Sequence, residues 1–74
     1  MIEERVKAIV VTNSKSDRLL SMHDQLRLEV GLDSLSFVEL MLAVEKEFGI
    51  KISMSEYPII ITVGDLVEVV KGKL

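Results

Sequence analysis

Ser34 and Asp33 are the residues of this chain whose types and positions offer a specific chemistry. They stand at the start of a predicted helix that runs from Ser34 to Phe48. Asp33 is a favourable N-cap, because its carboxylate can accept hydrogen bonds from the free N–H groups of the first turn. A phosphate on the Ser34 hydroxyl would lie at the positive end of the helix dipole, where an anion is stabilised by about 0.3–1 kcal/mol. The pattern favours a phosphoester at Ser34; a first-turn serine without function is the alternative.

Three other chemistries are not favoured. Ser34 with His23 and an aspartate could be drawn as a hydrolytic triad, but a single histidine in a polar loop gives that arrangement little support. A zinc site lacks ligands, since the chain has one histidine and no cysteine. The four glycines are scattered and form no phosphate-binding loop. We therefore expect neither an enzyme nor a metal site.

The predicted helix over 34–48 carries apolar residues on two faces. At about 100° per residue, one set falls on a single arc that suffices for a core-facing stripe. This core stripe comprises Phe37, Leu40, Met41, Val44 and Phe48. The second stripe comprises Leu35, Val38 and Leu42 and is bordered by Glu39, Lys46 and Glu45. It either packs against another element of the bundle or docks briefly on other proteins, because exposed apolar residues rimmed by charges suit transient contacts.

Helices are also predicted near the two ends of the chain. In the first, apolar residues recur at helical spacing until the polar run 12–14, where the helix should fade. These apolar residues are Ile2, Val6, Ile9 and Val10. Thr62 caps the last helix, with Asp65 near its positive end. Its buried stripe is expected to comprise Val63, Leu66, Val67 and Val70.

The segments between these helices carry weaker signals. Residues 14–32 are expected to form a long ordered connection with room for a short helical turn. Its apolar anchors are Leu19, Leu20, Leu26, Leu28 and Val30. The alternating stretch 50–53 is assigned to loop, because no second strand is available to pair with it. A short helical turn opens at 55–57, although Pro58 tolerates only its first positions.

The composition indicates one small domain, which we expect to span residues 1–74. The chain is 49% hydrophobic and 28% charged, a mixture that supports a packed core. No apolar run approaches the roughly 20 residues of a membrane span, and the first residues lack the order of a secretory signal, so a cytoplasmic location is expected. With a net charge of −3, the chain has no excess of positive charge with which to bind the phosphates of nucleic acid. Seven acids against two lysines over residues 33–68 favour basic partners.

Four stretches of the sequence resemble one known family. They are Gly31–Leu35, Val38–Leu40, Glu45–Ile50 and Thr62–Val67. Together they resemble the acyl and peptidyl carrier proteins over nearly the whole chain. The resemblance implies a monomer with an all-α fold, a small antiparallel four-helix bundle of three main helices and a short third helix. It also implies that Ser34 receives 4′-phosphopantetheine from coenzyme A through a phosphopantetheinyl transferase.

The resemblance also implies roles for the residues around Ser34. Asp33 would help the transferase to engage the attachment site. Enzymes that load or process the acyl group would dock their basic patches on a recognition surface formed by Leu35, Val38, Glu39, Leu42 and Glu45. In a family member that buries its cargo, the core stripe would also line the acyl pocket. Lys46 in the acidic surface and Tyr57–Pro58 in the short third helix depart from the family pattern.

The implied function is that of a non-catalytic carrier. It would hold an acyl or aminoacyl group as a thioester on the arm, which must supply the thiol because the chain has no cysteine. Fatty acid, polyketide, aminoacyl or modified-lipid assembly fits equally well. The length suits a free-standing protein or a domain of a synthase, and Met1 favours the first only weakly. The alternative is a small helical interaction module without a prosthetic group, in which Asp33 and Ser34 only start a helix.

Overall fold

Three α-helices and a short 3₁₀ helix make up the fold in the computed structural model, which describes residues 1–14 and 20–74. They are α1 (Ile2–Ser14), α2 (Ser34–Phe48), the 3₁₀ helix (Met54–Ile59) and α3 (Val63–Lys73). Within the described ranges, the only β pairing is an isolated antiparallel bridge between Gln25 and Thr62. The predicted small helical bundle is confirmed.

One face of α1 forms part of the core. Val6 and Val10 are fully buried, while Ile2 and Ile9 pack against the core and stay partly exposed. The helix ends at Ser14, in the polar run where the sequence predicts it to fade. Because α1 packs against both α2 and α3, it supports the helix that begins at the candidate site.

α2 has the bounds that its capping residues predict. Asp33 precedes it in an extended conformation, with φ −91° and ψ −174°. Gly49 follows it with φ 66°, in the left-handed region that glycine adopts without steric cost. The core stripe is confirmed as the buried face, since all its members are fully buried except Phe48, which packs against the core while partly exposed.

The connection between α1 and α2 packs through some of its predicted anchors. Leu20 and Leu26 are buried, and Val30 packs partly against the core. The prediction for Leu28 is wrong, because its side chain is 79% exposed. Leu28 lies in the turn that follows Leu26, and Leu26 takes the inward position. Leu19 lies outside the described residues.

Backbone hydrogen bonds join this connection to the start of α3. The N–H of Leu26 donates to the carbonyl oxygen of Ile61 over 2.8 Å. The N–H of Gly64 donates to the carbonyl oxygen of Met22 over 2.8 Å, and a Cβ at position 64 would lie 3.0 Å from that oxygen. Gly64 therefore lets the two backbones approach closely because it has no side chain.

The short helix at Pro58 is a 3₁₀ helix that begins at Met54, one residue before the predicted turn. The Glu56 carboxylate accepts from the backbone N–H of Ser53 over 2.9 Å at its start. Pro58 is its fifth residue, so the prediction that proline is confined to the first positions is wrong. A 3₁₀ helix this short makes few internal hydrogen bonds, and the missing N–H of Pro58 removes only one of them.

α3 is capped as predicted. Thr62 Oγ1 accepts from the N–H of Asp65 over 3.0 Å, and the Asp65 carboxylate accepts from the N–H groups of Thr62 and Ile61 over 2.9 and 3.0 Å. These hydrogen bonds, that of the Thr62 backbone foremost, lower the pKa of Asp65 below its ordinary value of 3.8. The predicted stripe of α3 is fully buried.

Replacing Asp65 by Asn should lower the free energy of unfolding at neutral pH by about 1 kcal/mol, because the cap loses its charged acceptor. Since folding lowers the pKa of Asp65, its stabilisation is complete above 3.8 and is lost as the pH falls through the folded value. Urea unfolding at successively lower pH should show the difference between the two proteins closing.

A difference that stays constant down to strong acid would contradict this account of Asp65. Glu68→Gln is the matched control, because Glu68 is exposed on the same helix. It should change the free energy of unfolding by less than about 0.5 kcal/mol.

Candidate functional site

Ser34 is the first residue of α2, and it is exposed. Its hydroxyl makes no hydrogen bond to any other described residue. A modifying enzyme can therefore reach the oxygen without unfolding the start of the helix.

Asp33 and Ser36 fix the backbone on both sides of Ser34. The Asp33 carboxylate accepts from the N–H of Ser36 over 2.8 Å and from its hydroxyl over 2.6 Å. In return, the N–H of Asp33 donates to Ser36 Oγ over 3.0 Å. This reciprocal cap holds the turn that contains Ser34 while leaving the Ser34 side chain free.

The same cap determines the charge beside Ser34. The Ser36 hydroxyl, followed by the Ser36 N–H, lowers the pKa of Asp33 below its ordinary value of 3.8. Asp33 is therefore ionised at neutral pH and occupies the positive end of the α2 dipole. A phosphoester on Ser34 would share that end with the Asp33 carboxylate.

The second stripe lies at the surface of α2. Leu35 is 69% exposed and Leu42 is 56% exposed, while Val38 is half-buried. Glu39 is exposed beside them. Leu35 and Leu42 thus form an apolar surface that begins next to Ser34, as expected for a docking stripe rather than for packing within the bundle.

Glu45, which is predicted to border this surface, takes part in the fold. Its carboxylate accepts from the N–H of Ile52 over 2.6 Å, and its side chain is partly buried. Its carbonyl oxygen accepts from the N–H groups of Gly49 and Ile50 over 2.8 and 3.2 Å. Glu45 therefore stabilises the end of α2 and offers less free charge to a partner than the sequence suggests.

Comparison with known proteins decides the family. The family described as phosphopantetheine attachment site matches residues 4–70. An acyl carrier protein of Rickettsia bellii (strain RML369-C) is 35% identical over 71 residues, which cover 95% of this chain and 83% of that protein. An acyl carrier protein of Rhizobium meliloti (strain 1021) is 39% identical over 71 residues, which cover 95% of this chain and 91% of that protein. The chain belongs to the acyl carrier protein family.

A solved structure supports the same assignment at the level of the fold. It is described as an acyl carrier protein from Mycobacterium tuberculosis, is 32% identical, and superposes with a TM-score of 0.92 over 97% of each chain. The acyl carrier protein fold predicted from the sequence is thereby confirmed.

Membership of the acyl carrier protein family identifies the prosthetic group as 4′-phosphopantetheine. Acyl carrier proteins are carriers that work with enzyme partners. The residues around Ser34 fit the group, because the ester needs an accessible hydroxyl, and that of Ser34 is exposed and makes no hydrogen bond within the part of the chain that the structure describes. Its exposure also leaves room for an arm outside the protein.

Two contributions to the site are not among the residues predicted from the sequence. Ser36 closes the cap on Asp33, and the Asp-x-x-Ser spacing was a signal that could have found it. Arg5 Nη2 lies 2.8 Å from Glu47 Oε2, and its guanidinium carbon lies 4.5 Å from the centre of the Phe48 ring. That contact joins α1 to the end of α2, and no local pattern predicts it.

The remaining candidates from the sequence take no part in the site. His23 is exposed, and its N–H donates to the Ser21 hydroxyl over 3.3 Å. No hydrogen bond joins His23 to Ser34 among the described residues. Within residues 1–14 and 20–74, no three acidic or histidine side chains form a group that could hold a metal. No helix in the same ranges has both the length and the apolar character needed to cross a membrane.

Truncating one buried and one exposed leucine of α2 should lower the free energy of unfolding by very different amounts. Leu40→Ala should lower the free energy of unfolding by about 2–5 kcal/mol, because the Leu40 side chain is fully buried. Leu42→Ala should lower it by less than about 1 kcal/mol, since most of that side chain is already in water. Urea unfolding of both variants measures the difference, and equal losses would contradict the assignment of the second stripe to the surface.

Proposed function

We propose that Ser34 carries the 4′-phosphopantetheine arm and that residues 1–74 act as a single carrier domain for an acyl group held as a thioester. The observation that carries the proposal is the exposed hydroxyl of Ser34, which makes no hydrogen bond to the rest of residues 1–14 and 20–74 and stands at a capped helix start. It lies inside the range matched by the phosphopantetheine attachment family. The bound arm supplies the thiol, which the chain itself lacks.

The chain contributes an oxygen nucleophile at a fixed place. Ser34 Oγ would form the new bond to phosphorus as the bond from that phosphorus to the oxygen of adenosine bisphosphate breaks, and the hydroxyl proton would pass to a base of the transferase. Asp33 and Ser36 hold the backbone of Ser34 during this step, so the transferase meets an ordered target. The ionised Asp33 carboxylate beside Ser34 is the group that we propose the transferase engages.

We propose that partner enzymes dock on α2 beside the arm. Leu35, Val38 and Leu42 would give apolar contact, and Glu39 would attract a basic patch. Glu45 would also attract a basic patch, but less strongly, because its carboxylate already accepts a hydrogen bond from the backbone N–H of Ile52. Such a surface suits brief encounters, in which the carrier delivers its cargo and leaves.

The relatives favour an acyl over an aminoacyl cargo, since both are acyl carrier proteins. We propose that the cargo belongs to fatty acid, polyketide or related synthesis, and that the carrier is a cytoplasmic monomer. A tethered cargo has a high effective concentration at any enzyme on which the carrier docks, which is the advantage of such an arrangement.

Incubation of the apo protein with coenzyme A and a broad-specificity phosphopantetheinyl transferase should add the mass of one phosphopantetheine group. Ser34→Ala should stay unmodified and keep its helical circular dichroism, because Asp33 and Ser36 still cap α2. Ser55→Ala, which removes another exposed serine hydroxyl, should be modified like the wild type.

Intact-mass spectrometry gives the result directly. A wild-type mass that does not change would favour the interaction module over the carrier. Modification of Ser34→Ala would show that the arm is attached elsewhere.

Glu39→Lys should raise the KM of the transferase, because it places a like charge before the enzyme's basic patch. The effect should shrink as salt is added, since exposed charges are screened. Glu68→Lys is the matched control, with the same charge change at an exposed position on α3. Steady-state kinetics at two salt concentrations measure both variants, and equal effects from the two reversals would contradict docking through α2.

A further inference from the structure

Arg27 is an exposed cation in the turn over residues 26–29 that precedes α2. Its guanidinium carbon lies 4.6 Å from the centre of the Phe37 ring. An aromatic ring attracts a cation but carries no net charge, so this contact restrains the guanidinium without neutralising it. Within residues 1–14 and 20–74, no carboxylate forms an ion pair with Arg27. Neither the fold nor the proposed docking surface therefore uses its positive charge.

The fold brings Arg27 to the start of α2 in two ways. Ser34 and Phe37 are three residues apart and so are neighbours on the helix, and an aromatic side chain in a helix leans toward the N-terminal end. The N–H of Leu32 also donates to the carbonyl oxygen of Leu26 over 3.1 Å. That bond ties the residue before Arg27 to a residue whose Cα is at most about 7 Å from that of Ser34. Both contacts place Arg27 beside the turn that contains Ser34.

A phosphodiester on Ser34 would need a cation at this place. It carries one negative charge, and the ionised Asp33 carboxylate already lies at the same end of α2. Two anions so close together repel each other unless a positive charge lies nearby. The Asp33 carboxylate accepts from the N–H and the hydroxyl of Ser36, so it is bonded within the cap and leaves Arg27 without an acidic partner. A guanidinium can donate two parallel hydrogen bonds to two phosphate oxygens.

We propose that Arg27 binds the phosphodiester of the arm. The proposal rests on the proposed attachment of the arm to Ser34. Arg27 is then a positioning residue, because it holds the phosphate at one side of the helix start and leaves the rest of the arm and its thiol free to move. The arm would leave α2 on the side of the turn over 26–29, while Leu35 and Leu42 remain open for partner enzymes.

The Nε–Hε resonance of Arg27 tests the contact in the unaltered protein. When coenzyme A and the transferase convert the isotope-labelled apo protein into the holo protein, the Hε resonance should move downfield, because a charge-assisted hydrogen bond to phosphate replaces one to water. The Nε–Hε resonance of Arg5 should stay in place, since Arg5 pairs with Glu47 near the other end of α2. Arg27→Lys assigns the signal, because it removes the guanidinium.

Phosphorus NMR of the holo proteins observes the same contact from the arm. Arg27→Gln should shift the phosphorus resonance, and added salt should shift the wild-type resonance toward that of the variant, because exposed charge pairs are screened. Arg27→Lys should give an intermediate position, since it keeps the charge but cannot donate two parallel hydrogen bonds.

Lys46→Gln is the matched control for the loss of charge. Lys46 is exposed on the same helix and lies about 18 Å from Ser34 along the axis. This variant should keep the phosphorus resonance of the wild type.

Intact mass separates the failure of this proposal from that of the proposed function. Absence of the added arm would contradict attachment itself. With the arm present, an Arg27 resonance that is the same in apo and holo protein would overturn the proposal for Arg27 alone. So would equal phosphorus shifts in Arg27→Gln and Lys46→Gln, because they would reflect net charge only. If Arg27→Gln loses its helical circular dichroism, the wild-type Nε–Hε measurement decides.

Discussion

The start of α2 must be rigid and exposed at the same time, and the rest of the structure serves that requirement. Asp33 and Ser36 exchange hydrogen bonds across Ser34, so the backbone of the serine is held without use of its hydroxyl. One turn later, Phe37 is fully buried and fixes the helix to the core. A hydroxyl that is fixed in position yet free of partners is what a covalent attachment point requires.

The bundle supports that helix along its whole length. Val6 and Val10 of α1 are buried within the core, and Arg5 meets Glu47 near the end of α2. Glu45 binds the backbone of Ile52, which fixes the segment after α2. The Glu45 carboxylate accepts from the backbone of Ile52, and the Glu47 carboxylate pairs with Arg5. Less negative charge on α2 is therefore available to attract a partner than its composition suggests. The exposed apolar residues of the second stripe then contribute more of its docking surface.

Local patterns explain which parts of the fold could be predicted. The bounds of α2 follow from Asp33 and Gly49, and the buried faces follow from helical periodicity, so the sequence alone identifies both. Ser34 follows from its place at that helix start. The pairing of Arg5 with Glu47 joins residues 42 apart, and the exposure of Leu28 depends on the direction of a turn. Both depend on the path of the chain in space, which cannot be predicted from the spacing of residues in the sequence.

Fragmentation mass spectrometry of peptides from the protein modified with coenzyme A and transferase locates the attachment residue directly. The phosphopantetheine group should be found on the peptide that contains Ser34, and fragment ions on either side should assign it to that residue. A group assigned to Ser36, to any other serine, or to no peptide would contradict attachment at Ser34, whose hydroxyl makes no hydrogen bond to another described residue and lies within the cap that Asp33 and Ser36 form.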